Sequence, residues 1–187
     1  MTRKMIFIIG PPGAGKTLLA EKLAEEFNLY HLSVGTYLRS KHFPPLYSRP
    51  RVMKHPDLLP CPLVNTDVLN KIMAKQHEGH EKFLIEGFPR SVSQIKAFER
   101  QFDMPDILIS VSCSKEMAKE RDSAQEISNT LLMKSPFEQR YKTFKEYSPA
   151  IIDCYRAADR LIQIDTSEDI EEAYGDLLFK LCEYSVF

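Results

Sequence analysis

At 187 residues and 43% hydrophobic content, the chain has the length of one ordinary globular domain and enough apolar mass to fill its core, with no room for a second full domain. A formal charge of −1, without any long block of like charges, removes the whole-protein electrostatic case for nucleic acid and leaves small molecules as the expected partners. Cys61, Cys113, Cys154 and Cys182 are scattered without Cys-x-x-Cys spacing, so reduced structural thiols are expected rather than a disulfide framework or a thiolate metal site.

The first predicted strand, Lys4–Ile9, begins too close to the N-terminus for a signal or transit peptide, and no apolar stretch reaches the roughly 18 residues that span a membrane. A cytoplasmic monomer is expected. Directly after that strand, residues 10–17 read Gly10-Pro11-Pro12-Gly13-Ala14-Gly15-Lys16-Thr17, a complete Gly-x-x-x-x-Gly-Lys-Thr phosphate-binding loop, and a helical pattern follows over Leu18–Phe27. Successive backbone N–H groups of such a loop form an anion-binding concavity at a helix N-terminus, whose partial positive charge favours a polyphosphate. The loop predicts a nucleoside triphosphate, with Lys16 on the β- and γ-phosphates and Thr17 on Mg²⁺.

Further along, Leu29–Leu32 is a short strand candidate ending at Ser33, which is placed to cap a helix over Val34–Lys41. The stretch His42–Pro62 holds Pro44, Pro45, Pro50, Pro56, Pro60 and Pro62, a density that forbids a long helix and favours extended or turn backbone. An apolar strand, Phe83–Glu86, runs into Gly87-Phe88-Pro89-Arg90, with Gln94 four positions on. Another strand is read at Ile107–Ser112, a polar interruption at Asp122–Pro136, a helix at Phe137–Arg156 with Tyr141, Phe144, Tyr147, Ile151 and Ile152 on one stripe, and a last strand at Leu161–Ile164. Strands alternating with helices predict an α/β three-layer sandwich: a central five-stranded parallel sheet with helices on both faces. Gly87 permits a sharp turn at the carboxyl end of a central strand, where open α/β sheets bind ligands, and Arg90 emerges there with a fork suited to a second phosphate. The plainer alternative for Arg90 is a surface ion pair at a helix start.

The phosphate loop followed by the strand into Gly-Phe-Pro-Arg and Gln94 resembles the adenylate kinase family of nucleoside monophosphate kinases, and the resemblance covers essentially the whole chain. It implies a core of 1–32, 81–121 and 137–187, a monophosphate-binding region at 33–65 and a short lid at 122–136. Ser33, Gly35 and Arg39 lie in the segment that opens the monophosphate site in relatives, where the arginine grips the acceptor phosphate; Val34 and Thr36 replace the usual Thr and Asp. Leu63 and Val64 match the residues that contact adenine, and Gln94 the glutamine that bonds the AMP base edge. Arg121 and Arg140 match the first and last of the arginines that close over the triphosphate. Between them only Lys134 is cationic, and Gln125 stands where a second arginine is expected. Glu86 replaces the Asp that helps hold Mg²⁺ through water, keeping the carboxylate one methylene longer.

The resemblance implies transfer of the γ-phosphoryl of Mg²⁺·ATP to a nucleoside monophosphate, AMP foremost. The acceptor phosphate is already largely ionised near neutral pH, its second pKa being about 6, so no general base is needed. His31, His42, His55, His77 and His80 are accordingly read as packing or surface residues. The arginine-poor lid keeps two other readings open: an ATP-binding or slowly hydrolysing module that serves a protein partner, and a kinase for an unusual monophosphate. A small-metabolite kinase is disfavoured, because Arg39 and Arg90 both ask for an acceptor that carries phosphate.

Overall fold

The computed structural model describes residues 4–42, 61–128 and 136–184, without the side chains of 42 and 125–128. The chain runs β1 (Lys4–Ile9), α1 (Lys16–Phe27), β2 (Tyr30–Ser33), α2 (Val34–His42), α3 (Cys61–His77), β3 (Lys82–Glu86), α4 (Val92–Phe98), β4 (Ile107–Ser112), α5 (Lys115–Ser128), α6 (Phe137–Ala157), β5 (Leu161–Asp165) and α7 (Ile170–Glu183). All five strands are parallel, in the order β2-β3-β1-β4-β5. The α/β three-layer sandwich expected from the strand and helix alternation is the fold observed.

Two-residue periodicity splits the apolar runs between the faces of the sheet. Phe7, Ile9, Leu32, Phe83, Ile85 and Leu108 pack on one side with residues of α2, α3, α4 and α6. Ile6, Ile8, Leu84, Ile109, Val111 and Ile164 pack on the other with α1 and α7. Phe7 is fully buried and meets Phe88 and Phe98 edge-on, with ring centroids 5.5 and 5.1 Å apart. After β1 the chain builds β2 and then β3 to one side and crosses to β4 on the other. This reversal opens a crevice at the carboxyl ends of β1 and β3, the place where such sheets hold ligands.

Several boundaries differ from the sequence reading. The second strand is Tyr30–Ser33, one residue later than expected, and the Ser33 hydroxyl reaches Thr36 Oγ1 at 3.3 Å. The proline-rich segment ends earlier: Cys61 and Pro62 already begin α3, because proline tolerates the first turn of a helix. Its other prolines lie outside the described residues. Helix α5 continues through Asp122 to Ser128, since Ala, Gln and Glu sustain a helix whose polar faces are solvated. The rest of the expected lid, 129–135 with Lys134, lies outside the described residues, as does the Gln125 side chain. On α6, Ile151 is buried and Phe144 and Ile152 pack against the core as expected, but Tyr147 is 47% exposed and Tyr155, outside the expected stripe, is fully buried. No helix among the described residues is long and apolar enough to cross a membrane.

Candidate active site

The phosphate loop leaves β1 and turns into α1 in a conformation that only glycine tolerates at Gly13. Its φ is +76°, and a Cβ there would lie 1.8 Å from the Ala118 carbonyl oxygen. Thr166 fastens the loop from below, its buried hydroxyl lying 2.9 Å from the Ala14 oxygen and 3.1 Å from the Ser112 oxygen. Lys16 Nζ donates to the Pro11 carbonyl at 2.6 Å, curling back over the loop. Burial pulls the Lys16 ammonium from the ordinary 10.5 down to about 8, against the opposing pull of Glu86.

A cavity of about 850 Å³ opens between the loop and the ends of β2 and β3. Toward the phosphate loop stand Gly10, Pro12, Lys16, Thr17 and Glu86; on the far side stand Ser33, Gly35, Arg39, Val64, Gly87, Arg90 and Gln94. Arg140 and Asp122 also line it. The structure thus gathers the donor loop and most of the expected acceptor residues around one space. Pro11 and Ala14 take part through their carbonyls. Leu63 does not join them: it is 36% exposed on α3, while Val64 behind it is buried and faces the cavity.

Across the cavity, Gly87 has φ +76° and turns the chain sharply after β3, and Arg90 Nε donates to the Gly87 carbonyl at 3.1 Å. Ser91 caps α4, its hydroxyl accepting from the Gln94 N–H at 3.4 Å. Gln94 is 2% exposed, and its Oε1 accepts from the Arg90 backbone N–H at 2.6 Å. Arg39 Nη2 donates to Thr36 Oγ1 at 3.0 Å. The two guanidinium groups converge on Gly35: a Cβ there would lie 3.2 Å from Arg39 Nη1 and 3.7 Å from Arg90 Nη2.

Glu86, 6% exposed, is paired on both oxygens. Thr17 Oγ1 donates to Oε1 at 2.7 Å, and His31 Nε2 lies 3.0 Å from Oε2. Burial pushes the Glu86 carboxyl up, but the His31 and Thr17 hydrogen bonds and the Lys16 charge together outweigh it and leave it below the ordinary carboxylate value. The expectation that His31 is a packing or surface residue is corrected by this contact. Strand register explains it: β2 lies beside β3 with Ser33 opposite Glu86, so alternation puts His31 on the same face two positions back. Hard oxygens at Thr17 and Glu86 suit Mg²⁺, which binds through one or two protein oxygens together with phosphates and water. No group of three His, Cys, Asp or Glu residues able to hold a metal occurs among the described residues.

A second hollow of about 630 Å³ lies on the other side of the loop, lined by Gly13, Gly15, Leu18, Arg121, Glu168 and Ile170 among others. Arg121 donates to the Thr166 oxygen at 2.8 Å and the Glu168 oxygen at 3.4 Å. Sequence reasoning singled out Arg121 but not the turn Thr166–Ile170 that holds it. Its signal was its place at the carboxyl end of β5, on the ligand-binding edge of the sheet.

The family model described as adenylate kinase matches residues 8–160. The chain is 27% identical over 187 residues to a uridylate kinase of Saccharomyces cerevisiae, covering 92% of this chain and 88% of that protein. It is 28% identical over 188 residues to adenylate kinase 1 of Schistosoma mansoni, covering 98% and 95%. To UMP-CMP kinase 1 of Oryza sativa subsp. japonica it is 27% identical over 181 residues, covering 92% and 72%. With its phosphate loop, parallel sheet and matched core, the chain belongs to the adenylate kinase family of nucleoside monophosphate kinases.

Proposed function

We propose that this kinase transfers the γ-phosphoryl group of Mg²⁺·ATP to AMP, forming two ADP. The observation that carries the reading is the single cavity in which Lys16, Thr17 and Glu86 face Arg39, Arg90 and Gln94. Two phosphate-binding sets across one space suit a reaction that joins two phosphates. The hollow by Arg121 and Ile170 then takes the nucleoside of the donor. Gln94 supports adenine as the acceptor base. Its carbonyl end is committed to the Arg90 N–H, which leaves the amino end to donate. A donor fits the acceptor nitrogen N1 of adenine and opposes the N–H edge of uracil or guanine.

Thr17 and Glu86 would hold Mg²⁺ together with the nucleotide, and the ion would supply charge neutralisation for the donor phosphates. The chain's part is alignment and positive charge. Lys16 leaves the Pro11 carbonyl for the donor phosphates, Arg39 and Arg90 fix the acceptor phosphate as a nucleophile, and Arg140 meets the group in transit. No residue needs to remove a proton, since the acceptor is ionised near neutral pH.

CMP is the second reading, because cytosine also presents a ring-nitrogen acceptor and one of the similar proteins is named a UMP-CMP kinase. Chromatographic quantitation of products from Mg²⁺·ATP with AMP, dAMP, GMP, CMP or UMP, with Lys16→Ala as the blank, tests the proposal. ADP forming fastest from AMP supports it. Faster turnover of CMP or UMP moves the assignment to a pyrimidine, and no diphosphate from any acceptor overturns the reading with these substrates.

A further inference from the structure

Arg140 stands near the start of α6 and Asp122 within α5, the two helices that flank residues 129–135. Asp122 Oδ1 accepts from Arg140 Nη1 at 3.1 Å, and Oδ2 from Nη2 at 2.5 Å. Their side chains are 3% and 15% exposed, and both residues line the cavity that holds Lys16 and Arg90. Two parallel bonds between planar groups fix the guanidinium in rotation as well as position.

We propose that Asp122 is the positioning residue for Arg140: from α5 it holds the guanidinium toward the space between donor and acceptor, so that Arg140 meets the transferring phosphoryl group without reorganising. The proposal rests on the kinase reading above. Three observations favour positioning over a merely structural pair. A buried ion pair is a weak stabiliser, often no better than an apolar replacement, because desolvation offsets the attraction. This pair lies at the cavity wall, near enough to Lys16 that both charges are felt at its ammonium. No other arginine occurs between Arg121 and Arg140, so the segment between the helices contributes none to the reaction. A guanidinium anchored to a core helix supplies the charge ready-placed instead, which is where electrostatic catalysis gains most.

Steady-state kinetics of Asp122→Asn, Arg140→Ala and the double variant test the inference. Asp122→Asn is expected to lower kcat by about 10–100-fold while KM for both nucleotides stays within about threefold, the pattern of an interaction made in the transition state. The double variant is expected to be no slower than Arg140→Ala alone, because without Arg140 there is nothing left to position. Should Asp122→Asn fail to fold, Asp122→Glu keeps the charge and shifts the fork by one methylene. Its kcat is expected to fall at least about fivefold with an unchanged melting temperature. An active enzyme whose kcat is indifferent to either substitution, or losses that multiply in the double variant, overturns the positioning role alone. Absence of any diphosphate product from the unmodified protein overturns the kinase reading and this inference together.

Discussion

Lys16→Met is expected to stabilise the protein at neutral pH while abolishing nucleotide binding. In the folded chain burial holds the Lys16 ammonium at about 8, against the ordinary 10.5. The folded state therefore resists a proton that the unfolded chain keeps. Below pH 8 both states are protonated and the penalty is complete; between 8 and 10.5 the folded state has released its proton and the penalty fades; above 10.5 it is gone. At 1.36 kcal/mol per pH unit the gap amounts to about 3 kcal/mol, and because Lys16 is only part-buried, solvent screening reduces it to about 1–3 kcal/mol. Methionine has similar length and carries no charge, so its packing and the lost bond to Pro11 add a constant that does not change with pH. The assay is urea unfolding of both proteins at half-unit steps from pH 6.5 to 10.5. The difference in favour of Met is expected to be flat to about pH 8 and then to shrink by about 1–3 kcal/mol. A difference that stays constant over that window, or grows with pH, refutes the desolvated lysine.

Tyr155→Phe is expected to raise the melting temperature by about 2–4 °C, since the buried Tyr155 hydroxyl has no hydrogen-bond partner among the described residues and removing it relieves about 1 kcal/mol; differential scanning calorimetry reads it. Gly13→Ala is expected to cost at least about 2 kcal/mol and to weaken ATP binding. The new methyl group would press on the Ala118 carbonyl in a backbone conformation that alanine resists, a change that titration calorimetry and thermal unfolding both report. Arg90→Lys is expected to raise KM for the monophosphate about 10–100-fold with KM for ATP little changed, because a point charge replaces a fork.

Four of the five strands were legible as short apolar runs with β-branched residues next to a helical pattern, and β1, Lys4–Ile9, matches to the residue, whereas β2, Tyr30–Ser33, has no β-branched residue and was read one residue early. The phosphate loop and Arg90 were legible because local sequence builds both, a turn at a strand end and a helix start. The contacts that only the assembled fold creates were not. His31 meets Glu86 because β2 pairs with β3, a neighbour relation that no local pattern encodes. Asp122 meets Arg140 because α5 and α6 pass beside each other, and in sequence Asp122 is one more acidic residue in a polar run. Tyr155 joins Ile151 in the core while Tyr147 is exposed, a choice made by how α6 packs on the sheet and not by the spacing of aromatic residues.

If Arg39 and Arg90 hold the acceptor phosphate as proposed, their meeting at Gly35 makes that side of the cavity a filter for charge state. Their nearest terminal nitrogens are no more than about 7 Å apart, since both approach the same point beside that glycine. Two cations held so close repel each other, and a ligand relieves that repulsion in proportion to the negative charge it brings. A terminal phosphate above its second pKa of about 6 brings nearly two charges, whereas a phosphodiester brings one and an unphosphorylated nucleoside none. On the proposed reading, nucleosides and internal phosphates of nucleic acid are expected to bind there more weakly than a terminal phosphate. Mild acidification is then expected to weaken a monophosphate acceptor twice over, as a ligand for the arginine pair and as a nucleophile.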